Sequence, residues 1–189
     1  MAVLIDNITK QGNRQTDLFS WEFQEKRTIR LTGEISDALA DEIIAKLEYL
    51  DSCSHQPIRM VINSPGGSVT SGLAVLDAMR RTQSPVHTVC TGLAASMAAV
   101  LAACGGSRGE RCITPHAEMM IHQPLGGISG QASDVQVMAL QLTKTKDLLI
   151  ALLAEATGKT REQISTDIDR NYWLDAKAAV AYGLADRIA

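Results

Sequence analysis

Aromatic side chains are scarce in this 189-residue chain: two Trp, three Tyr and two Phe. Anchors in protein docking pockets draw most of their apolar area from such rings, so an interface built on them is not expected. Cysteine is also sparse. Cys53, Cys90, Cys104 and Cys112 form neither a C-x-x-C pair nor a zinc-finger spacing, which excludes a disulfide framework and a cysteine metal site and fits reduced thiols. Lys and Arg nowhere cluster, and the formal charge of −3 with a pI near 5.8 argues against a nucleic-acid surface. Phosphate-cradling motifs of the G-x-x-x-x-G-K-[ST] and G-x-G-x-x-G kinds are missing, and no cofactor or metal is expected. Met1 to Ile8 carries Asp6 and lacks the basic start and long apolar core of a signal peptide, so the expected compartment is the cytoplasm. No Asp, Glu, Lys or Arg occurs between Arg81 and Arg108. That stretch contains Gln83, Pro85, His87, Gly92 and Ser96, however, and divides into strand, corner and helix rather than spanning a membrane.

What is present is an alternation of strand and helix patterns, which defines an α/β class. Residues 1–25 show weak periodicity and read as an arm with one short helix near Asp17 to Phe23 and a polar turn at 11–15. Residues 26–189 read as one domain. Within it, Arg27 to Leu31 alternates as a strand, and Ser36 caps a helix to Leu50 whose Leu39, Ile43, Leu47 and Leu50 share a face. The strand Ile58 to Ile62 stops at Asn63-Ser64-Pro65-Gly66-Gly67. A helix follows from Ser68 to Thr82 with Val69, Leu73, Leu76 and Met79 or Arg80 in its stripe, then a strand from Val86 to Cys90 and an alanine-rich helix from Met97. Short strands are expected at 111–114 and Glu118 to Ile121, with His116 in a hairpin turn between them. A helix of about 25 residues, Ser133 to Thr157, is roughly twice the usual length and is expected to protrude and self-associate. Thr160 and Gln163 form a capping box, Arg170 to Leu174 is extended, and a last helix stops at Gly183.

Three features carry chemistry. Ser96 stands at a strand-to-helix corner, where a hydroxyl projects past the sheet beside free backbone N–H groups; it reads either as a helix cap or as a nucleophile. The Asn63 to Gly67 turn pairs adjacent glycines with a helix start, as a tight turn or as an oxyanion-binding loop. Among His55, His87, His116 and His122, only His122 leaves an apolar strand, and Pro124 then ends the ladder.

Asn63-Ser64-Pro65-Gly66-Gly67-Ser68-Val69, Gly92-Leu93-Ala94-Ala95-Ser96-Met97, Met120-Ile121-His122-Gln123-Pro124-Leu125-Gly126-Gly127 and Ala181-Tyr182-Gly183-Leu184-Ala185-Asp186 occur in that order. Together they resemble the ClpP family, the proteolytic subunit of the Clp protease. The resemblance implies a crotonase-like fold of repeated β-β-α units and a serine endopeptidase. Ser96 would be its nucleophile, His122 its base, and the Gly67 and Met97 N–H groups its oxyanion hole. It further implies that a polypeptide substrate lies along Pro124, Leu125 and Gly126. Seven-membered rings would stack through the long helix as a tetradecamer, fed by an ATP-dependent unfoldase.

Two departures stand out. Asn171 occupies the third triad position where the family has Asp, with Asp169 as the alternative carboxylate. Arg59, Val61, Arg81 and Cys112 stand where the family places aromatics for unfoldase docking. Low or conditional activity is therefore expected, and direct docking is disfavoured relative to partnership with a second ClpP-type subunit. The alternative functions are a structural or regulatory ring subunit and, more remotely, a crotonase acting on acyl-coenzyme A.

Overall fold

A computed structural model of the chain describes residues 4–9, 12–127 and 129–189. Its elements run β1 (Leu4–Thr9), β2 (Gly12–Asp17), α1 (Leu18–Glu25), β3 (Thr28–Thr32), α2 (Asp37–Cys53), β4 (Ile58–Ser64), α3 (Val69–Arg81), β5 (Val86–Ala95) and α4 (Met97–Gly105). They continue with β6 (Arg111–Ile113), β7 (Glu118–Ile121), α5 (Ala132–Thr157), α6 (Arg161–Asp167), β8 (Tyr172–Asp175), α7 (Ala176–Tyr182) and β9 (Arg187–Ile188).

The helices follow from local chemistry. Ser36 Oγ accepts the Leu39 N–H, opening α2, which buries Ala40, Ile43, Leu47 and Leu50. On α3 the buried face carries Val75, Leu76 and Met79, whereas Val69 and Leu73 are only partly covered. The stripe is rotated because Gly72 faces α4: a methyl group there would lie 2.2 Å from the Met97 side chain, so only glycine admits this approach. Helix α4 is buried from Met97 through Cys104, which makes it the centre of the core rather than an amphipathic surface element. At Thr160 only half of the capping box forms, because the Gln163 amide turns to Asp167.

Seven strands build the main sheet, ordered β3-β4-β5-β6-β9 and parallel along that path. Strand β5 runs five residues beyond its apolar stretch and changes partner on one edge. Thr88 to Cys90 pair with β6, and Leu93 to Ala95 pair with β7, both parallel. The 114–117 segment therefore links two strands that follow the same neighbour, and the expected hairpin around His116 does not occur. The last strand of the sheet, β8, lies antiparallel to β7 with Tyr172 opposite Ile121. Strands β1 and β2 form a separate antiparallel sheet in a region expected to be irregular apart from one helix. Gln11, from the expected turn, lies outside the described residues.

A buried ion pair ties the carboxyl-terminal segment to this core. Arg111 is 6% exposed, and its guanidinium donates to the Asp186 carboxylate and to the Ala103 and Ala156 carbonyls at the ends of α4 and α5. Arg80 and Arg108 likewise donate to the Cys104 and Glu155 carbonyls, so three arginines cap the ends of these two helices. Burial raises the Asp186 carboxyl, but the Arg111 hydrogen bonds outweigh it and hold the group below its ordinary value.

Replacing Asp186 with Ala is expected to cost about 3 kcal/mol in denaturant unfolding, since it strands the buried guanidinium. A depressed folded pKa means that the pair's contribution is complete above the unfolded value near 3.9 and disappears as pH falls through the folded one. The stability gap between wild type and Asp186→Ala should accordingly narrow only in that acid range.

Candidate active site

The site forms where the ends of β4, β5 and the antiparallel β7–β8 pair meet. Strand β4 ends in a bulge between Ile62 and Ser64, and Asn63 Oδ1 crosses to accept the Leu93 N–H of β5 at 3.2 Å. The turn that follows is fixed by Ile35, whose N–H donates to Gly66 O and whose C=O accepts the Ser68 N–H, both at 2.8 Å. This parallel bridge uses the groups flanking Gly67 and turns the Gly67 N–H to the opposite side. Gly67 has φ 152°, and a side chain there would lie 2.4 Å from the Ile35 carbonyl oxygen.

The second component is the corner at the end of β5. Ser96 has φ 56° and ψ −125°, a conformation that costs a non-glycine residue roughly 1–3 kcal/mol. Its N–H donates to Met120 O at 2.8 Å, holding the corner to β7. The side chain makes no capping bond to α4, so the helix-cap role does not account for this serine. Gly66 packs directly against it: a methyl group on Gly66 would lie 2.7 Å from Ser96 Cβ and 3.1 Å from the Met97 nitrogen. Met97 N–H belongs to the first-turn donors that a helix leaves unpaired.

The third component follows from register. With Ile121 opposite Tyr172, the next positions along the two antiparallel strands are His122 and Asn171. His122 Nε2 lies 2.8 Å from Ser96 Oγ, and His122 Nδ1 lies 3.1 Å from Asn171 Oδ1. An amide oxygen only accepts, so Nδ1 carries the imidazole proton and Nε2 offers its lone pair to the Ser96 hydroxyl. Asp169 does not reach the imidazole. Its carboxylate faces the Gln123 amide at 3.3 Å and the Arg170 guanidinium at 3.8 Å.

Pro124 lies beside the pair, in a small apolar recess lined by Val69, Ser96, Met97, Val100, Ile121, His122, Leu149 and Leu153. Leu125, 80% exposed, and Gly126 continue outward without regular structure. The glycine-rich segment passes through residue 128, which lies outside the described residues. The other three histidines stand away from the site: His55 near Asp51, His87 near Glu110, and His116 exposed in its turn. Burial pushes the Cys90 and Cys104 thiols up to about 12, leaving neither as a nucleophile near neutral pH.

Sequence patterns did not mark Gln123 as part of the site. Its N–H donates to Ile168 O at 2.7 Å and its amide to Asp169 O at 2.9 Å, while Lys146 of α5 donates to its Oε1 at 2.9 Å. The residue after the histidine thus joins the base, the Asn171 loop and the long helix. Its position after His122 was the available signal, but Lys146 and Asp169 lie 23 and 46 positions away.

A parallel α/β sheet with a strained serine corner, and a histidine held against that serine, is the arrangement of a serine hydrolase. The family model described as Clp protease matches residues 10–189. The chain is 46% identical over 180 residues to ATP-dependent Clp protease proteolytic subunit 3 of Synechococcus sp. (strain CC9902), covering 94% of this chain and 89% of that protein. It is 44% identical over 181 residues to ATP-dependent Clp protease proteolytic subunit 1 of Shouchella clausii (strain KSM-K16), covering 95% and 93%. The chain belongs to the Clp protease family and is a Clp-type serine peptidase subunit. That membership sets aside the acyl-coenzyme A reading. No helix among the described residues is long and apolar enough to cross a membrane.

Substituting Gly67 with Ala would force its Cβ into the Ile35 backbone at 2.4 Å and displace the turn. With the Gly67 N–H in the oxyanion role that the resemblance implies, fluorophosphonate labelling of Ser96 is expected to fall by at least about 100-fold. Labelling at the wild-type rate would show that this turn is irrelevant to the serine.

Proposed function

We propose that Ser96, His122 and Asn171 act as nucleophile, general base and orienting residue in hydrolysis of peptide bonds, with the Gly67 and Met97 N–H groups as the oxyanion hole. The observation that carries this reading is the continuous hydrogen-bonded line from Ser96 Oγ through the His122 ring to Asn171 Oδ1. Ser96 Oγ attacks the scissile carbonyl carbon while its proton passes to His122 Nε2, and the carbonyl oxygen takes negative charge against the two backbone donors. Nε2–H then protonates the departing amine, leaving an acyl-serine. Water then attacks the acyl carbon, giving its proton to Nε2, and Nε2–H returns a proton to Ser96 Oγ as the carboxylic acid leaves. An extended substrate lies along Pro124, Leu125 and Gly126, beside the apolar residues Val69, Met97, Leu149 and Leu153. Substrates are unfolded polypeptides, the form that can lie extended along this segment.

Asn171 sets the rate. Its oxygen fixes the tautomer, but a neutral amide does not offset the positive charge that His122 acquires. In a chymotrypsin-type site the Asp-to-Asn exchange costs about 10⁴ in turnover, or roughly 5.5 kcal/mol. This chain therefore works slowly alone, in stacked rings that join through the exposed half of α5, where Val137 and Leu140 are each 65% exposed. A cytoplasmic ATP-dependent unfoldase delivers the substrate. Arg59 and Arg81 are exposed, and Val61 and Cys112 offer little apolar surface beside them. That face is poor for direct docking and favours delivery through a second ClpP-type ring. The competing reading, a regulatory ring subunit without turnover, rests on the same Asn171.

Fluorophosphonate labelling separates the two. Wild type is expected to label, and Ser96→Ala and His122→Ala to lose labelling, alone or mixed with a second ClpP-type subunit. Absence of Ser96-dependent labelling in every assembly would leave the regulatory reading. Asn171→Asp is expected to raise kcat for a fluorogenic peptide by at least about tenfold in correctly assembled protein. An unchanged kcat would refute the assigned role of Asn171.

A further inference from the structure

Behind the glycine turn lies a polar chain that the reaction as described does not use. Ser71, on the first turn of α3, is 6% exposed, and its hydroxyl oxygen has two oxygen neighbours: the Asp37 carboxylate and Ser68 Oγ at 2.6 Å. Ser71 has one hydroxyl proton. A carboxylate only accepts, so Asp37 takes that proton and the Ser68 hydroxyl supplies its own to Ser71. Ser68 Oγ also accepts the Ser71 N–H at 3.3 Å and lies 3.1 Å from the Thr70 hydroxyl, which has its proton to give. The result is an ordered relay, Thr70 to Ser68 to Ser71 to Asp37, in which every hydroxyl proton has a direction and the chain ends on a charge.

The far end of this relay is not an arbitrary anchor. Asp37 stands two residues after Ile35, the residue whose backbone holds Gly66 O and the Ser68 N–H. The segment 35–37 therefore grips the glycine turn twice, through the main chain at Ile35 and through side chains by way of Ser71 at Ser68. Gly67 lies between the two grips. It has no side chain to pack, and its φ is 152°. The bridge to Ile35 and the Ser64 hydroxyl, which accepts the Gly66 N–H at 3.1 Å, hold the turn on its Gly66 side. The second grip holds it on the Ser68 side.

We infer that Asp37 and Ser71 are positioning residues that set the direction of the Gly67 N–H through Ser68. This rests on the oxyanion role proposed for Gly67. Neither residue touches substrate, and their effect falls on the step in which charge develops on the bound oxygen, not on the fit of the ground-state peptide. Displacing an oxyanion donor without deleting it should cost less than the 10²–10³ of outright loss, on the order of tenfold.

The test is the kinetics of Ser96 modification by a peptidyl fluorophosphonate, resolved into noncovalent affinity and maximal rate, on the assembled full-length protein. Ser71→Ala and Asp37→Ala are expected to lower the maximal rate about tenfold with affinity unchanged within about twofold. Asp37→Asn, which keeps an accepting oxygen, is expected to retain the wild-type rate. Because the two residues act in series, the double Ser71→Ala/Asp37→Ala variant should be no slower than either single. Wild-type rates in both alanine variants would overturn the inference. So would Asp37→Asn as slow as Asp37→Ala, or a loss confined to affinity or thermal stability.

Crystal structures of the phosphonyl adduct keep the two claims apart. A phosphonyl oxygen away from Gly67 N in the wild type refutes the oxyanion role itself. An oxygen at Gly67 N in the wild type and at the same distance in Ser71→Ala refutes only the relay.

Discussion

A serine held at φ 56° is the constraint to which the other parts of this molecule answer. Left to itself the residue would relax toward an ordinary corner, and three neighbours prevent it. Met120 O takes its N–H, Gly66 occupies the space into which its Cβ would swing, and α4 begins at the next residue with no freedom to rotate. The last of these is the strongest, because α4 is buried from Met97 to Cys104 and any turn of its axis would break contacts on every side. A helix poor in amphipathic character is thus a rigid mount, and the strain at the corner is balanced by a core that cannot follow it.

The same logic explains which features were legible in the sequence. Ser96, His122 and the glycine turn could be found because local rules mark them: a break between strand and helix, an apolar strand that ends at proline, and a pair of adjacent glycines. The face of α2 was legible because Ile43, Leu47 and Leu50 repeat at helical spacing. Features fixed by distant partners were not. Gly72 shifted the buried face of α3 because Met97 sits opposite it, 25 residues on, and no periodicity within α3 records that. The β1–β2 hairpin lacks the alternation that announces a strand, and β9 is two residues long, below what any pattern resolves. The polar chain from Thr70 to Asp37 escaped for the same reason. Serine at the start of a helix is ordinary, and its partner across 34 positions becomes visible only in the fold.

The neutral third residue has a structural setting of its own. The nearest acidic side chain on that loop, Asp169, is turned from the imidazole by Gln123 and Arg170. Gln123 in turn is held by Lys146 on the long helix. The loop therefore presents the histidine with an amide and keeps its carboxylate elsewhere, so the polarity at Nδ1 is a consequence of packing and not only of which residue occupies position 171.

The division of one edge of β5 between β6 and β7 has a practical consequence. Each short strand grips its own half of β5, and the turn between them exposes Pro115 and His116 while contributing no group to the serine corner. It is a seam. A peptide tag or a fluorophore spliced there would ride on an exposed turn between two strands that hold β5 separately, giving an insertion point for following the subunit's assembly by energy transfer.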